Sequence, residues 1–468
     1  MRTSGTWRKP LFTRARDSAG LRAAVARDGD ERWSFQNPMK VLIIDGLHDS
    51  DRGGAGIVAG LVDSLYSVAK QLGKSVDLAL VYRYSAADKR FRSAARHTRK
   101  SFPDVEIYSA PLRTFSRWRG LPKKLDFLFI LLTACVSLVA PRLSRSGVVR
   151  AMQEADVVIS KGGHFYRSGL RNPVAGFIDT LLSSYNLMMA IRLRKRLALV
   201  GHSVGPFSNV ASRWLTGYAF KRASFVSTRE SISKQILVEM GIAASRIAIV
   251  PDTAFALTPA PPEELSRLLD ANGLSHARYA VVTPRYWDFP GSADPAERYT
   301  AYLHAMATLA DHLLETALVD RVLLVRHNDG QHLDFEDDAK PIEAILEAMK
   351  QKQRAIVIRD DLSPTMQAAL YGRAIMTLGT RMHSVIFAFV GGGPAVAVSY
   401  THKTDGIMSM MNLEQLVLPI DSIDLAIARE MITNTVERRA AIVAQVAQKV
   451  ADFREVITAA LTEVVAPP

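Results

Sequence analysis

Short apolar runs alternate with helix-length amphipathic segments from residue 41 to about residue 420. Most runs place Val, Ile, Leu and Ala on consecutive positions, which is typical of parallel strands buried on both faces. Such runs separated by helices predict an α/β protein with parallel sheets. The predicted strands are 41–45, 156–160, 197–200, 224–228 and 247–250, followed by 279–283, 322–325, 355–358, 374–378 and 395–399.

The stretch 374–408 contains the clearest unit of this pattern. A strand is followed by a predicted helix (383–390), a Gly-Gly-Gly-Pro stop and a second strand. The two strands of such a unit lie parallel, so their carboxyl ends share the sheet edge where open α/β sheets bind ligands. Arg381, His383 and Lys403 follow those ends. The sequence therefore predicts an anion site with an ionisable histidine, assisted by the positive N-terminus of the helix.

Polar and glycine residues follow the other strand ends as well. They are Gly163, His164, His202, Ser203, Arg229, Glu230 and Asp252 in the first series of strands, and Arg285 in the second. Parallel strands would bring the members of each series to one edge of a sheet. We therefore take them as binding-site candidates, although a lone Arg or His in such a place is often an ordinary surface or structural residue.

Changes in composition predict the domain organisation. Residues 1–38 carry many arginines but no apolar core and no cleavage motif, so we expect a disordered basic tail rather than a signal peptide. Met39 stands directly before the first strand, which leaves an alternative start open. The Pro-dense segment 258–264 predicts an interdomain linker. We expect an N-terminal domain at 39–257, a C-terminal domain at 265–420 and a helical segment at 421–468 that packs back across both.

Charge and cysteine content narrow the partners and the compartment. A formal net charge of +13 predicts anionic partners, which include nucleic acid, acidic membranes and phosphorylated or carboxylated substrates. The sequence contains no known nucleic-acid-binding motif, so no specific nucleic-acid partner is expected. The single cysteine, Cys135, excludes an internal disulfide framework and favours a reducing, cytoplasmic compartment.

A basic segment, 83–124, leads directly into the apolar run 127–140. The run is shorter than the roughly 20 residues that a spanning helix needs. It reads either as a buried helix or as an apolar helix lying in the interface of an anionic membrane, and the sequence leaves both open.

Three further motifs predict less. Gly201-His-Ser203-Val-Gly205 fits the nucleophile-elbow pattern of hydrolases, but Pro206 follows where a helix would have to continue. The glycine-containing loop after the first strand suits a phosphate, yet it matches neither dinucleotide nor P-loop patterns. His327, His332 and the acids between Asp334 and Asp338 lack a recognised metal-ligand spacing, so no metal site is expected.

The ordered string Arg381-x-His383, an apolar helix, Gly393-Pro394, a strand and Tyr400-x-x-Lys403-x-x-Gly406-x-Met408 resembles the C-terminal signature of polysaccharide pyruvyl transferases. Upstream, a Gly-Gly pair, Gly-x-Ser-x-Gly-Pro, Arg-Glu-x-x-Ser and Pro-Asp-x-Ala-Phe follow in the order of that family. Arg285 and Asp337-Asp338 stand where the family has an Arg and an Asp-Asp pair. The family's Asn-x-Gly-Asp after the first strand is matched here only by Asp49-Ser-Asp51-Arg-Gly53.

The resemblance implies two Rossmann-like domains facing a cleft, the GT-B architecture, with the acceptor on the N-terminal side and the donor on the C-terminal side. It implies transfer of the enolpyruvyl part of phosphoenolpyruvate to two hydroxyls of a glycan or lipid-linked oligosaccharide, which gives a pyruvate ketal and phosphate without a metal or cofactor. It implies a cytoplasmic enzyme in peripheral contact with the inner face of the membrane. The candidate catalytic residues are His383, as general acid, and Arg381; the substrate-binding candidates are Arg229, Lys403, Arg285, His164, His202, Gly163, Ser203 and Asp252.

Two other functions stay open from the sequence. A GT-B glycosyltransferase would also present basic residues at such a cleft, to the diphosphate of a nucleotide sugar. A non-catalytic protein that binds anions or membranes would explain the net charge alone. The string that follows Tyr400 favours the pyruvyl transferases over both.

Overall fold

The computed structural model describes residues 38–86, 88–112, 123–141, 144, 146–168, 173–331 and 337–466. Residues 1–37 of the predicted tail, and His332 with the acids Asp334 and Glu336, lie outside these residues. The two sheets described below belong to one compact unit, Met39–Pro468.

The first sheet is entirely parallel. Its strands run in the order β3-β2-β1-β4-β6-β7-β8, and β5 pairs with the end of β6. The bounds are β1 Met39–Gly46, β2 Val76–Tyr82, β3 Glu106–Tyr108, β4 Val157–Ser160, β5 Gly163–Tyr166, β6 Arg196–Val204, β7 Phe225–Thr228 and β8 Ile247–Ile249. The strand order reverses between β1 and β4, so the polar residues that follow these two strands face a crevice at the carboxyl edge.

Eight helices within the described residues connect these strands. They are α1 Arg52–Gln71, α2 Phe91–Ala94, α3 Arg96–Ser101, α4 Lys123–Val139, α5 Gly147–Glu154, α6 Pro173–Arg192, α7 Val210–Arg222 and α8 Ser231–Glu239. The helix α1 begins at its N-cap Asp51, whose carboxylate accepts the backbone N–H of Gly54, 3.2 Å away. The apolar side of the helix, including Leu61 and Leu65, is buried in the first core.

The second sheet is also parallel and has the order β11-β10-β9-β12-β13-β14. This is the doubly wound order, with its switch point between β9 and β12. The strands are β9 Tyr279–Thr283, β10 Arg321–Val325, β11 Ala355–Ile358, β12 Thr377–Gly379, β13 Ala395–Ser399 and β14 Val417–Pro419. The helices are α9 Pro262–Ala271, α10 Pro295–Glu315, α11 Ala339–Ala348, α12 Pro364–Arg373, α13 Met382–Val390 and α14 His402–Met410.

Two helices, α15 Leu425–Glu437 and α16 Arg439–Val465, end the described chain. α16 packs against the segment that follows β8 of the first sheet, where the rings of Phe453 and Phe255 lie 4.9 Å apart. Arg454 donates hydrogen bonds of 3.1 Å to the carbonyl oxygens of Phe255 and Leu257. The prediction of two parallel-sheet α/β domains with a terminal helix packed back across them is confirmed.

Glycines on α1 allow α13 of the second sheet to approach closely. A Cβ built on Gly56 would lie 2.6 Å from the ring of Phe387, and one on Gly53 only 2.2 Å from Nδ1 of His383. The first turn of α1 therefore contacts the residue that the sequence predicts as the general acid.

An ionic cluster makes a second contact between the two sheets' sides. Arg52 and Arg96 both donate to Asp329 and Asp361, at distances from 2.5 to 3.3 Å. His97 Nε2 lies 3.2 Å from the same Asp361 carboxylate. Because Arg52 is almost fully buried, this cluster fixes the first turn of α1 against the second sheet.

Several local predictions were wrong. The strands β2, β3, β5 and β14 were not predicted, and the strand expected at 374–378 runs from Thr377 to Gly379. β5 was not predicted because it begins at Gly163, directly after Gly162, and glycines at a strand end resemble a loop. Two backbone N–H groups at the loop after β1 are not available to a phosphate. The N–H of Gly54 donates to the Asp51 carboxylate, and the N–H of Arg52 donates to the side-chain oxygen of Asn328.

Candidate active site

A cleft of about 890 Å³ lies between the carboxyl edges of the two sheets. We call the lining residues that come from the chain between Asp45 and Arg229 the first wall, and those between Arg285 and Lys403 the second wall. The cationic lining residues are Arg83, Arg90, Lys161, Arg167, Arg229, Arg285, Arg381 and Lys403. The acidic ones are Asp45, Asp51, Asp88 and Asp179, all on the first wall. Cations therefore dominate the cleft, which suits an anionic ligand.

His383 stands in the first turn of α13, with Arg381 as the N-cap residue. Its Nε2 lies 3.5 Å from Oδ2 of Asp252 and makes no hydrogen bond within the described part of the chain. Burial alone would raise the pKa of Asp252, but the contacts with His383 and Arg229 outweigh burial and hold that pKa well below its usual range. Asp252 is thus an anion beside the imidazole.

Arg229 is a buried guanidinium held by hydrogen bonds to two neighbours. Its Nη1 donates to Asp252 Oδ2 at 2.5 Å, and its Nε donates to Ser203 Oγ at 2.7 Å. Ser203 Oγ in turn donates to Glu230 Oε2 at 3.0 Å. Ser203 lies inside β6 and its hydroxyl is engaged, so it is not placed as a nucleophile at a strand-to-helix turn. Arg229 lines the cleft, whereas Ser203 and Asp252 lie behind it and orient it.

Arg381 lines the cleft too, but its guanidinium is paired with buried Asp338. Nε lies 3.1 and 3.0 Å from the two carboxylate oxygens of Asp338, and Nη2 lies 2.7 Å from one of them. The second acid of the Asp-Asp pair therefore holds Arg381 in place, and the first, Asp337, pairs with Arg326 at 2.6 Å. Such a fork geometry is specific to arginine.

Lys403 and His164 connect the two walls directly. Lys403 Nζ donates to Nδ1 of His164 at 2.7 Å, while Nε2 of His164 donates to the carbonyl of Gly205 at 2.5 Å. Burial and the charge of Lys403 lower the pKa of His164 to about 3, so the ring is neutral at pH 7. Burial, followed by the charges of Arg229 and Arg167, lowers the pKa of Lys403 to about 7.

Arg285 stands on an aromatic platform of the second wall. Its guanidinium carbon lies 4.1 Å from the ring centre of Tyr400 and 5.2 Å from that of Trp287. Nε also donates to the carbonyl of Tyr286 at 2.9 Å. Stacking of this kind fixes a planar cation and leaves its edge available to a ligand.

His202 is not at the cleft surface. It is fully buried, and its Nε2 lies 3.0 Å from Ser160 Oγ, which donates to Asp45 Oδ2 at 2.6 Å. Burial lowers the pKa of His202 to about 3. The cleft is lined by both Gly163 and His164, which were predicted to follow the strand at 156–160.

Lys161 and His327 are among the lining residues that sequence reasoning missed. Lys161 follows β4 and is fully buried; burial lowers its pKa to about 8, against the opposing charges of Asp51 and Asp45. His327 follows β10 and is also fully buried, with both ring nitrogens unpartnered among the described residues. Lys161 is the first residue after its strand and His327 the second, and that position was the available signal.

Chemically, the cleft offers fixed cations for two anionic groups and one imidazole beside a carboxylate. That set can hold a small, highly charged anion and deliver a proton to it. Among the described residues, no group of three or more His, Cys, Asp or Glu side chains is placed to hold a metal ion.

Comparison with known proteins identifies the family. The sequence model of the polysaccharide pyruvyl transferases matches residues 61–402, well over half of the chain. The chain belongs to the polysaccharide pyruvyl transferase family. Pyruvyl transferases being enzymes, the protein is a transferase with a role in pyruvyl transfer. The matched range contains Arg229, Arg285, Arg381 and His383 and ends one residue before Lys403.

Among curated proteins, this pyruvyl transferase is similar to the amylovoran biosynthesis protein AmsJ of Erwinia amylovora. The two are 22% identical over 399 residues, which cover 82% of this chain and 89% of AmsJ.

Solved structures with the same fold include Anabaena HepE in complex with UDP-glucose and the Neisseria meningitidis UDP-GlcNAc 2-epimerase bound to UDP-GlcNAc. Their TM-scores are both 0.51 and their identities 16% and 12%; each comparison covers 91% of this chain and all of the other. At these identities the likeness shows the GT-B-like fold alone.

Proposed function

We propose that the protein transfers the pyruvyl group of phosphoenolpyruvate to two hydroxyls of a polysaccharide or its precursor, with release of phosphate. The observation that carries this proposal is the second wall, where Arg285, Arg381 and Lys403 face the cleft beside His383 and no acid of the described residues lines it. A carboxylate and a phosphate on one small donor need several cations at close range. Arg229, from the first wall, completes the set.

The chemistry uses His383 as the general acid. Its proton passes to the methylene carbon of phosphoenolpyruvate, and the central carbon becomes oxocarbenium-like. A first acceptor hydroxyl forms a C–O bond to that carbon and returns a proton to His383. The second hydroxyl forms the second C–O bond as the bond to phosphate breaks, and its proton leaves with the phosphate. Asp252, 3.5 Å from Nε2 of His383, holds the ring in position in this proposal.

The acceptor belongs on the first wall in this proposal. Asp179, Leu182 and Asn186 lie on one face of α6 and line the cleft, near Arg83 and Tyr84. Carboxylate, amide and aromatic groups are suited to sugar hydroxyls and ring faces. Asn186 Oδ1 is buried and has no hydrogen-bond partner among the described residues, so a hydroxyl donor would satisfy it.

We propose a cytoplasmic location with peripheral contact at the inner face of the membrane, where lipid-linked acceptors would be met. The basic sequence around the apolar run 127–140 supports that contact, because each Lys or Arg near an anionic leaflet contributes about 1 kcal/mol. No helix in the described residues has the length and apolarity to span a bilayer.

The direct test is phosphate release from phosphoenolpyruvate across a panel of glycan and lipid-linked acceptors, with the product examined for a ketal. Release that depends on acceptor is expected. Absence of release with every acceptor, together with no thermal stabilisation by phosphoenolpyruvate, would contradict the proposal.

A nucleotide-sugar glycosyltransferase is the second candidate, because two proteins of the same fold are bound to UDP-sugars. Thermal shift separates the two. Stabilisation by UDP-sugars and not by phosphoenolpyruvate would favour the glycosyltransferase.

A further inference from the structure

One face of α4 exposes a row of apolar side chains. Leu132, Val136 and Val139 are 59%, 57% and 73% exposed, and Cys135 is exposed between them. The spacing of three and four residues places all four on one side of the helix. Single exposed apolar residues are common on proteins, but a row of them along one helix face indicates a contact surface.

The opposite face of α4 holds the helix to the first sheet's side. Ile130 is buried at the cleft, and Ser137 Oγ lies 2.7 Å from the hydroxyl of Tyr185 on α6. Arg192 of α6 donates to the carbonyl of Val139 at 3.2 Å and so satisfies the end of the helix. The helix is therefore fixed in place with its apolar row turned outward.

The charge of the sequence around α4 indicates which kind of partner covers the row. Between residues 113 and 150 the sequence carries eight Lys or Arg and a single acid, Asp126. A second copy of the chain would bring two such basic segments together, and they would repel each other. An anionic bilayer instead offers both apolar chains for the row and negative headgroups for the flanking cations.

The opposite face of α4 reaches the cleft. Ile130 of α4 and Leu182 of α6 both line the cleft, and Leu182 is partly exposed beside Asp179. We infer that the outward face of α4, defined by Leu132, Cys135, Val136 and Val139, docks on an anionic membrane. Docking would bring the enzyme to the bilayer that holds the lipid of the acceptor, a consequence that rests on the proposed function.

Cys135 provides the test, because it is the single cysteine of the sequence and lies in the middle of the row. The full chain is labelled there with an environment-sensitive fluorophore and mixed with vesicles of phosphatidylcholine, with or without phosphatidylglycerol. A blue-shifted, brighter emission is expected with the anionic vesicles at low salt and a weaker one at high salt. An unchanged spectrum with anionic vesicles would overturn the inference.

Unlabelled variants exclude an effect of the dye. Val136→Asp should reduce flotation with anionic vesicles at least several-fold, whereas Ile427→Asp, at an equally exposed position (57%) on α15, should leave flotation unchanged. Equal flotation of the Val136→Asp variant would overturn the inference. So would a vesicle-free dimer that this substitution converts to monomer, because the row would then be covered by a second copy.

Phosphate release with a water-soluble acceptor separates this inference from the proposed function. The Val136→Asp variant should retain that activity while losing activity on a lipid-linked acceptor in vesicles. Full activity on the vesicle-borne acceptor would overturn the inference and leave the proposed function intact. Wild-type failure on both acceptors would instead contradict the proposed function.

Discussion

The two walls of the cleft differ in the charges that they present. The first wall intersperses four carboxylates among its cations, whereas the second presents Arg285, Arg381 and Lys403 without an acid among the described lining residues. A small dianionic or trianionic donor would therefore be attracted most strongly to the second wall. Neutral sugar hydroxyls, which need acceptors of hydrogen bonds, find them on the first. The contrast supports the predicted division into an N-terminal acceptor side and a C-terminal donor side, which remains a prediction.

The largest effect is expected for His383, the proposed general acid, which lies where the two walls meet. His383→Gln should lower turnover about 10²–10⁴-fold, the usual contribution of a general acid, while phosphoenolpyruvate still stabilises the protein in thermal shift. Phosphate release and melting temperature measured together check this. Near-normal turnover would show that the proton comes from elsewhere.

The fork on the second wall should come next. Arg381→Lys keeps the charge but loses the bidentate contact with Asp338, which should weaken donor binding by about 1.5–3 kcal/mol, roughly 10- to 150-fold. Asp338→Asn is the matched variant, because it loosens the fork and keeps the guanidinium. Titration calorimetry with phosphoenolpyruvate measures both. Wild-type donor affinity in Arg381→Lys would remove Arg381 from the donor site.

A methyl group on the first wall should disturb the acid on the second. Gly53→Ala places a Cβ 2.2 Å from Nδ1 of His383, so turnover should fall on the order of tenfold or more with a smaller change in donor affinity. Gly406→Ala is the control, since its Cβ would meet no atom within 4 Å. If the two variants were equally active, the contact between α1 and His383 would not matter for the reaction.

The pH dependence of donor binding should report on Lys403. With a pKa of about 7, the ammonium is charged below that pH and progressively neutral above it. Affinity for phosphoenolpyruvate should therefore fall above pH 7, by at most about tenfold per pH unit. Lys403→Arg stays charged and should flatten the profile. Parallel profiles for the two proteins would show that Lys403 does not carry the charge that the donor needs.

The smallest effect is expected on the first wall. Asp179→Asn should raise the KM for the acceptor roughly fivefold, the equivalent of about 1 kcal/mol for one hydrogen bond, and leave donor affinity unchanged. Asp104→Asn, at an exposed position that does not line the cleft, is the control. A change in donor affinity instead would indicate that the donor binds to the first wall, which would contradict the proposal.

The second sheet was easier to predict from sequence than the first. The bounds of β9, β11 and β13 agree with the predicted runs, because parallel strands buried on both faces have continuous apolar sequences. The first sheet contains the three-residue β3 and the glycine-flanked β5, and neither produces such a run. Short strands are identified by their neighbours in the sheet, which sequence does not show.

Strand ends predicted which residues reach the cleft edge but not which way each side chain points. Neighbouring positions on a strand face opposite sides. His202 therefore lies in the core, while His164 and Arg229, predicted on the same grounds, line the cleft. The local sequence pattern could not predict the pairing of Arg381 with Asp338 either, because the two residues are 43 positions apart. The roles of these residues in binding and catalysis remain predictions.

The return of α16 to the first sheet has a consequence for engineering. Exchanging the donor-side half between related enzymes is a natural route to new specificities, and a cut near residue 258 looks convenient in sequence. Arg454 and Phe453, however, come from the far end of the chain and complete the packing around Phe255 and Leu257 on the other side of such a cut. A chimera joined only there would pair a foreign terminal helix with the native Phe255 surface, so a functional exchange requires two junctions, with the native α16 restored after the second.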